Sequence, residues 1–135
     1  MSGCVEVRIL LIDDDPDDRR LAARVLGQDL GSPEIVEIGT DAELEAELQG
    51  LAEPVLVVSD YLLGWTDAFD VLQRVRTVYP ECPVIVFTGM GDEDLAARFI
   101  RAGVNGYVDK RDLKRLGEAA RQAIRNGAKM TARFA

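Results

Sequence analysis

Histidine is absent from all 135 residues. That excludes a Ser–His nucleophile pair, histidine-ligated zinc and a histidine phosphodonor within the chain. Cysteine is nearly absent: Cys4 and Cys82 lie far apart and form no CxxC pair. No disulfide framework or redox motif is readable, and both are expected to be reduced thiols in a cytosolic setting. Long apolar runs are also missing. The longest aliphatic run near the N-terminus has four residues, so neither a signal peptide nor a membrane span is expected. Basic charge is in deficit, with a formal net charge of −8, which argues against a nucleic-acid-binding surface. Internal repeats and low-complexity segments are lacking, and no stretch reads as a domain boundary.

What is present is organised around Ile9-Leu10-Leu11-Ile12-Asp13-Asp14-Asp15-Pro16. Four aliphatic residues in succession read as a strand buried on both faces, the habit of parallel sheets covered by helices. Pro16 suits the first turn of a helix, where its missing N–H costs nothing. The three carboxylates therefore stand where a central strand empties into a loop, the place where open α/β sheets bind ligands. At about 4 Å and an effective dielectric near 20, each pair of such charges repels by roughly 4 kcal/mol. A hard divalent cation is the simplest relief.

The remaining pattern alternates. Strands are expected over 7–12, 35–38, 55–59, 84–87 and 106–108, each followed by an amphipathic helix. The first helix runs from Pro16 to about Gln28, with Leu21, Ala22, Val25 and Leu26 as its apolar stripe. Thr40-Asp41-Ala42-Glu43 is a capping box opening a short helix that should stop at Gly50. Asp67 should cap a helix with Val71, Leu72, Val75 and Val78 inward; Asp92 one with Leu95, Phe99 and Ile100 inward, closed by Gly103. Asp112 should cap the last, with Leu113, Leu116, Ala120, Ala123 and Ile124 on one face, stopped by Gly127. Five such alternations predict an α/β fold, a doubly wound five-stranded parallel sheet with helices on both faces.

In that sheet Asp13 and Asp14 end strand one, Asp60 ends strand three, Thr88 ends strand four and Lys110 follows strand five. All five share one edge. Carboxylates, a hydroxyl, the Gly89 amide and a lysine suit a phosphoryl group beside Mg²⁺, and one carboxylate could itself be the nucleophile. Asp15, Asp17, Asp18 and Asp67 are sufficiently explained as cap and turn residues. Charge is also uneven: residues 110–135 carry +6 and residues 1–109 carry −14.

The segments around Asp13-Asp14, Val57-Val58-Ser59-Asp60-Tyr61, Val84-Ile85-Val86-Phe87-Thr88-Gly89 and Ala102–Lys110 resemble the receiver domain of two-component response regulators, in family order and spacing. The resemblance spans roughly residues 7–126 and implies a flavodoxin-like sheet of order 2-1-3-4-5. It also implies that Asp60 accepts a phosphoryl group from a histidine kinase or phosphotransfer protein. Asp14 would bind Mg²⁺ directly, Asp13 through water, and the Leu62 carbonyl would be a third ligand. Thr88 and the Gly89 amide would hold phosphoryl oxygens, Lys110 would pair with another, and Tyr107 would be the aromatic switch. Residues 127–135 would be a short basic tail with no output domain, leaving a stand-alone, cytoplasmic receiver over residues 1–135. It would dock an acidic surface, on a downstream protein or on a second copy, through helix four, strand five and helix five, with Arg98, Arg101, Arg121 and Arg125 supplying positive charge.

No turnover of a separate substrate is expected. Gly64 stands where many receivers have proline, Ala68 where many have glycine, and Arg111 where proline usually follows the lysine. The Lys110–Arg111 peptide should be trans, because a cis bond there costs about 2.5–4 kcal/mol. Two alternatives are readable. Asp13-Asp14-Asp15 contains the Asp-x-Asp of haloacid-dehalogenase-type phosphatases, with Asp13 as nucleophile, although Asp17 replaces their Thr or Val and the late acidic pair is not found. The other is a receiver-shaped adaptor that docks without phosphorylation.

Overall fold

A computed structural model describes residues 7–50 and 52–134, the last seven without their side chains. Cys4 lies outside the described residues. The order is β1 (Arg8–Ile12), α1 (Pro16–Asp29), β2 (Glu34–Ile38), α2 (Asp41–Leu48), β3 (Leu56–Ser59), α3 (Ala68–Val78), β4 (Val84–Thr88), α4 (Glu93–Ala102), β5 (Gly106–Asp109) and α5 (Leu113–Phe134). All strand pairs are parallel, in the order β2-β1-β3-β4-β5. This is the expected doubly wound, flavodoxin-like sheet.

The aliphatic strands are buried on both faces because each face feeds a separate core. Leu10, Ile12, Val57, Val84 and Val86 join Leu44, Val71, Val75 and Phe99 under α2, α3 and α4. Ile9, Leu11, Val58, Ile85, Phe87 and Val108 join Ala22, Leu26, Leu116 and Ala120 under α1 and α5. Each fully buried Leu or Ile side chain contributes about 1.5–3 kcal/mol. Among the described residues, no helix is long and apolar enough to cross a membrane.

The helix starts follow the caps. Asp15, Thr40, Asp67 and Asp92 each accept a first-turn backbone N–H, and Glu43 reaches back to accept the Gly39 N–H, one residue before the cap, and the Thr40 hydroxyl. The stops are less regular. Gly103 ends α4 in the left-handed region at φ 108°, as expected. Gly50 lies beyond the end of α2, whose cap is Gln49 in a right-handed conformation. Gly127 does not end α5, which continues to Phe134. A Cβ at Gly127 would come within 3.3 Å of Pro83 Cγ, so this glycine serves close packing rather than termination. Leu21, Val78 and Ile100, expected inward, are exposed, because each lies at the edge of its helical stripe beyond the reach of the sheet.

Cys82 is a buried free thiol, its pKa pushed by burial to about 12, which keeps it inert. No cis peptide occurs among the described residues, so the Lys110–Arg111 bond is trans.

Candidate functional site

The C-terminal edge of the sheet collects the expected residues. Asp13 follows β1, and its backbone N–H donates to the Ile38 carbonyl at 3.0 Å, which extends the ladder one residue past the strand. Its carboxylate is almost fully buried and accepts the Asp15 N–H at 2.9 Å. Asp60 is placed in the same way after β3, its N–H donating to the Ile12 carbonyl at 2.9 Å. Its Oδ1 accepts the Tyr61 N–H at 2.6 Å, which fixes the carboxylate and leaves Oδ2 toward the site. Asp14 is exposed beside them. Carboxylate oxygens of Asp13, Asp14 and Asp60 lie within 4.8 Å of one another. Three hard oxygen donors at that spacing fit a small divalent cation.

Lys110 enters from the far side of the edge. Its backbone N–H donates to the Thr88 carbonyl at 3.1 Å. Its ammonium lies 2.8 Å from Asp13, 2.8 Å from Asp18 and 2.9 Å from Asp60. Burial alone would depress the Lys110 pKa, but hydrogen bonds to the three carboxylates outweigh it and raise it. For Asp13 the balance runs the other way. Burial raises its pKa, and the bonds to Lys110 and the Asp15 amide recover only part of the cost.

Thr88 is buried, and its hydroxyl accepts the Met90 N–H at 3.2 Å. Gly89 adjoins it, facing the Lys110 stem. Tyr107 is half-buried; its ring lies 6.0 Å from that of Phe99, and its hydroxyl donates to the Met90 carbonyl at 3.3 Å. A Cβ on Gly91 (φ 152°) would collide with that hydroxyl, so this glycine makes room for Tyr107. Leu62 and Met90, both exposed apolar residues, flank the site. Leu62 belongs to a tight loop, bridged to Asp67.

Gly64 adopts φ 79°, which proline cannot reach, and its Cα approaches Asp14 so closely that a Cβ would sit 3.0 Å from Oδ2. The turn after Lys110 is held without proline. Arg111 donates its N–H and guanidinium to Asp109, and the Asp112 N–H reaches the Asp109 carbonyl at 2.9 Å. Arg111 lowers the Asp109 pKa to about 2.

Two participants are not readable from sequence. Asp18, expected only to cap or turn, contacts Lys110, 92 positions along the chain. Arg19 donates to the Asp13 carbonyl at 2.7 Å and to Glu37 at 3.0 Å, bracing the loop that presents Asp13 and Asp14. The only hint was a surplus of acids in the first turn of α1, where Asp15 already supplies the cap. The positive strip is also divided. Arg121 faces α1, 3.8 Å from Asp29, and Arg98 lies over the Phe69 ring at 5.1 Å.

Comparison with known proteins matches the domain as a whole. The sequence profile described as "Response regulator receiver domain" matches residues 9–121. The chain is 33% identical over 113 residues to an uncharacterized 14.6 kDa protein of Leptolyngbya boryana, covering 82% of this chain and 83% of that one. It is 30% identical over 105 residues to the C4-dicarboxylate transport transcriptional regulatory protein DctD of Pseudomonas aeruginosa, covering 78% of this chain but only 22% of that protein. The crystal structure of the receiver domain of NtrX from Brucella abortus superposes with a TM-score of 0.77 at 28% identity, over 87% of this chain and 98% of that one.

Proposed function

The chain belongs to the response regulator receiver domain family, and from that premise we propose that it is a phosphorylation-controlled switch whose acceptor is Asp60. The observation that carries the reading is the placement of Asp60: one carboxylate oxygen is pinned by the Tyr61 amide, and the other faces Lys110 beside Asp13 and Asp14. An Asp60 oxygen attacks the phosphorus of a phosphohistidine on a kinase or phosphotransfer protein. The P–N bond breaks as the P–O bond forms, and the imidazole leaves with a proton from solvent. Asp13, Asp14 and Asp60, with the Leu62 carbonyl, would hold Mg²⁺, which supplies positive charge for the phosphoryl oxygens. Lys110 adds a point charge, and the Thr88 hydroxyl and Gly89 amide supply neutral donors.

The Met90 N–H now satisfies the Thr88 hydroxyl. Turning that hydroxyl to a phosphoryl oxygen releases Met90, whose carbonyl also anchors Tyr107. One rotation thereby loosens the loop and the aromatic ring together, which is how Tyr107 acts as the switch. The change reaches the face of α4, β5 and α5, and on its β5–α5 part Gly106, Tyr107, Arg115, Ala119 and Gln122 line a groove suited to a protein partner or second copy. We place the protein in the cytoplasm, with its kinase. One adduct per chain, without turnover of a separate substrate, is expected.

Intact-mass measurement after incubation with acetyl phosphate and Mg²⁺ tests this. A single phosphoryl adduct, absent in Asp60→Asn, is the expected result. Steady turnover through Asp13 would make the chain a phosphatase, and no adduct at all would leave a phosphorylation-independent adaptor.

A further inference from the structure

The contact that neither the family pattern nor the caps account for is Asp18 on Lys110. An ammonium has three N–H donors, and here three carboxylates lie within ion-pair reach of it, Asp13, Asp18 and Asp60, all at 2.8–2.9 Å, with Asp18 and Asp60 accepting hydrogen bonds. Two of those three, Asp13 and Asp60, also belong to the group that could hold a metal ion; Asp18 does not. Lys110 and a divalent cation therefore compete for the same oxygen lone pairs, and they repel each other at short range. For Asp13 and Asp60 to serve the cation, Lys110 must loosen from them without leaving the site, where it is needed for the phosphoryl group. Asp18 is the one partner it can keep.

Its place on α1 suits that role. Asp18 is the third helical residue after the cap Asp15 and is fixed there by regular backbone geometry. Its side chain is free to serve Lys110, because the cap duties of this turn already fall to Asp15, which accepts the Asp17 and Asp18 N–H groups at 2.9 and 3.4 Å. The neighbouring Asp17 carries the same charge on the same turn but forms no ion pair with Lys110 among the described contacts.

We propose that Asp18 is a positioning residue, the counter-ion that retains Lys110 while Asp13 and Asp60 are given over to the metal. This rests on the Mg²⁺-dependent reading above. Removing the Asp18 charge leaves Lys110 bound only to the metal carboxylates, so it should resist their release and weaken the cation's hold.

The test pairs two isosteric charge removals, Asp18→Asn and Asp17→Asn, with Asp18→Glu as the conservative rescue. Magnesium affinity is measured by calorimetry, and the Lys110 ammonium is followed by ¹H–¹⁵N NMR. Asp18→Asn should weaken Mg²⁺ binding about tenfold, Asp17→Asn by less than about twofold, and Asp18→Glu should recover most of the loss. The Lys110 ammonium signal should persist at saturating Mg²⁺ in the wild type and vanish into solvent exchange in Asp18→Asn. Equal losses for the two Asn variants would reduce Asp18 to general field and overturn the proposal. So would an ammonium signal that survives Mg²⁺ saturation in Asp18→Asn. A wild-type protein that binds no Mg²⁺ would overturn the metal reading and this proposal with it, an outcome distinct from either of those.

Discussion

Two clusters in this molecule have the same composition, one cation among three carboxylates, and opposite characters. Arg74 on α3 reaches Asp41 at 2.8 Å, Glu45 at 2.5 Å and Asp70 at 3.4 Å. Lys110 reaches Asp13, Asp18 and Asp60 at similar distances. The acids around Arg74 have side chains 58%, 53% and 44% exposed, so water screens the surplus negative charge. Around Lys110, Asp18 is 43% exposed, but Asp13 is 4% and Asp60 14%, so two of the three charges are shut away from water. A planar guanidinium also spreads over several carboxylates at once, whereas an ammonium is a point charge that another cation can displace. The first cluster is a brace between α2 and α3. The second is poised for further positive charge, and burial rather than charge count makes the difference.

The sharpest way to separate them is to remove each cation. Lys110→Ala should slow labelling of Asp60 by acetyl phosphate about 100-fold, the usual consequence of losing one preorganised charge at a developing anion. Arg74→Ala should change it less than about twofold. Labelling rates measured by mass spectrometry decide the matter, and equal losses in both variants would erase the functional distinction.

The surroundings of the two clusters differ in polarity as well. Exposed Leu62 and Met90 flank Asp60, and neither can orient a water for attack on the phosphoryl group. Phospho-Asp60 should therefore be long-lived, decaying about tenfold more slowly than in the Leu62→Asn/Met90→Glu double variant. Equal decay in the two would assign no role to this apolar rim.

A third contrast is thermodynamic. Burial raises the Asp13 pKa, so folding disfavours its charged form. The resulting penalty is fully present above the folded pKa and disappears as pH falls below the unfolded value near 3.8. Asp13→Asn should stabilise the ion-free protein at pH 7, with the gain fading as pH falls toward the unfolded value. Added Mg²⁺ should reverse the order, since only the intact carboxylate set binds it well. Urea unfolding at pH 7 and at a pH near the unfolded value, with and without Mg²⁺, reads all of this; a variant less stable than wild type at pH 7 without metal would contradict it.

How far these differences were readable in the sequence follows from range. Each strand end announced itself, because an aliphatic run followed by Asp13, Asp60 or Thr88 encodes both burial and exit. The caps Asp15, Thr40, Asp67 and Asp92 were equally plain, since their partners lie within three residues. Asp18 was not, because its partner is 92 positions away and its type was already explained by the helix start. Glycine was ambiguous for a related reason: Gly103 ends its helix through a left-handed φ, whereas Gly127 answers to Pro83, and composition does not tell these demands apart. A sum of charges likewise carries no direction, so the basic count of α5 did not reveal that Arg121 turns to Asp29.

The smallest effect tests the brace itself. Arg74→Met keeps an unbranched apolar stem and deletes only the charge. Exposed ion pairs contribute little, and even three acids sharing one guanidinium stay within water's screening. The variant should lose about 0.5–1 kcal/mol in dilute buffer, and the loss should shrink as salt is raised to about 0.5 M. Under the same salt increase the Lys110 cluster should respond less, because Asp13 and Asp60 are shielded from mobile ions. Chemical denaturation with urea, a neutral denaturant, across a salt series measures both. A salt-independent loss of about 3 kcal/mol at Arg74 would place it among buried pairs whose partners are left stranded, and the contrast between the two clusters would then rest on chemistry alone.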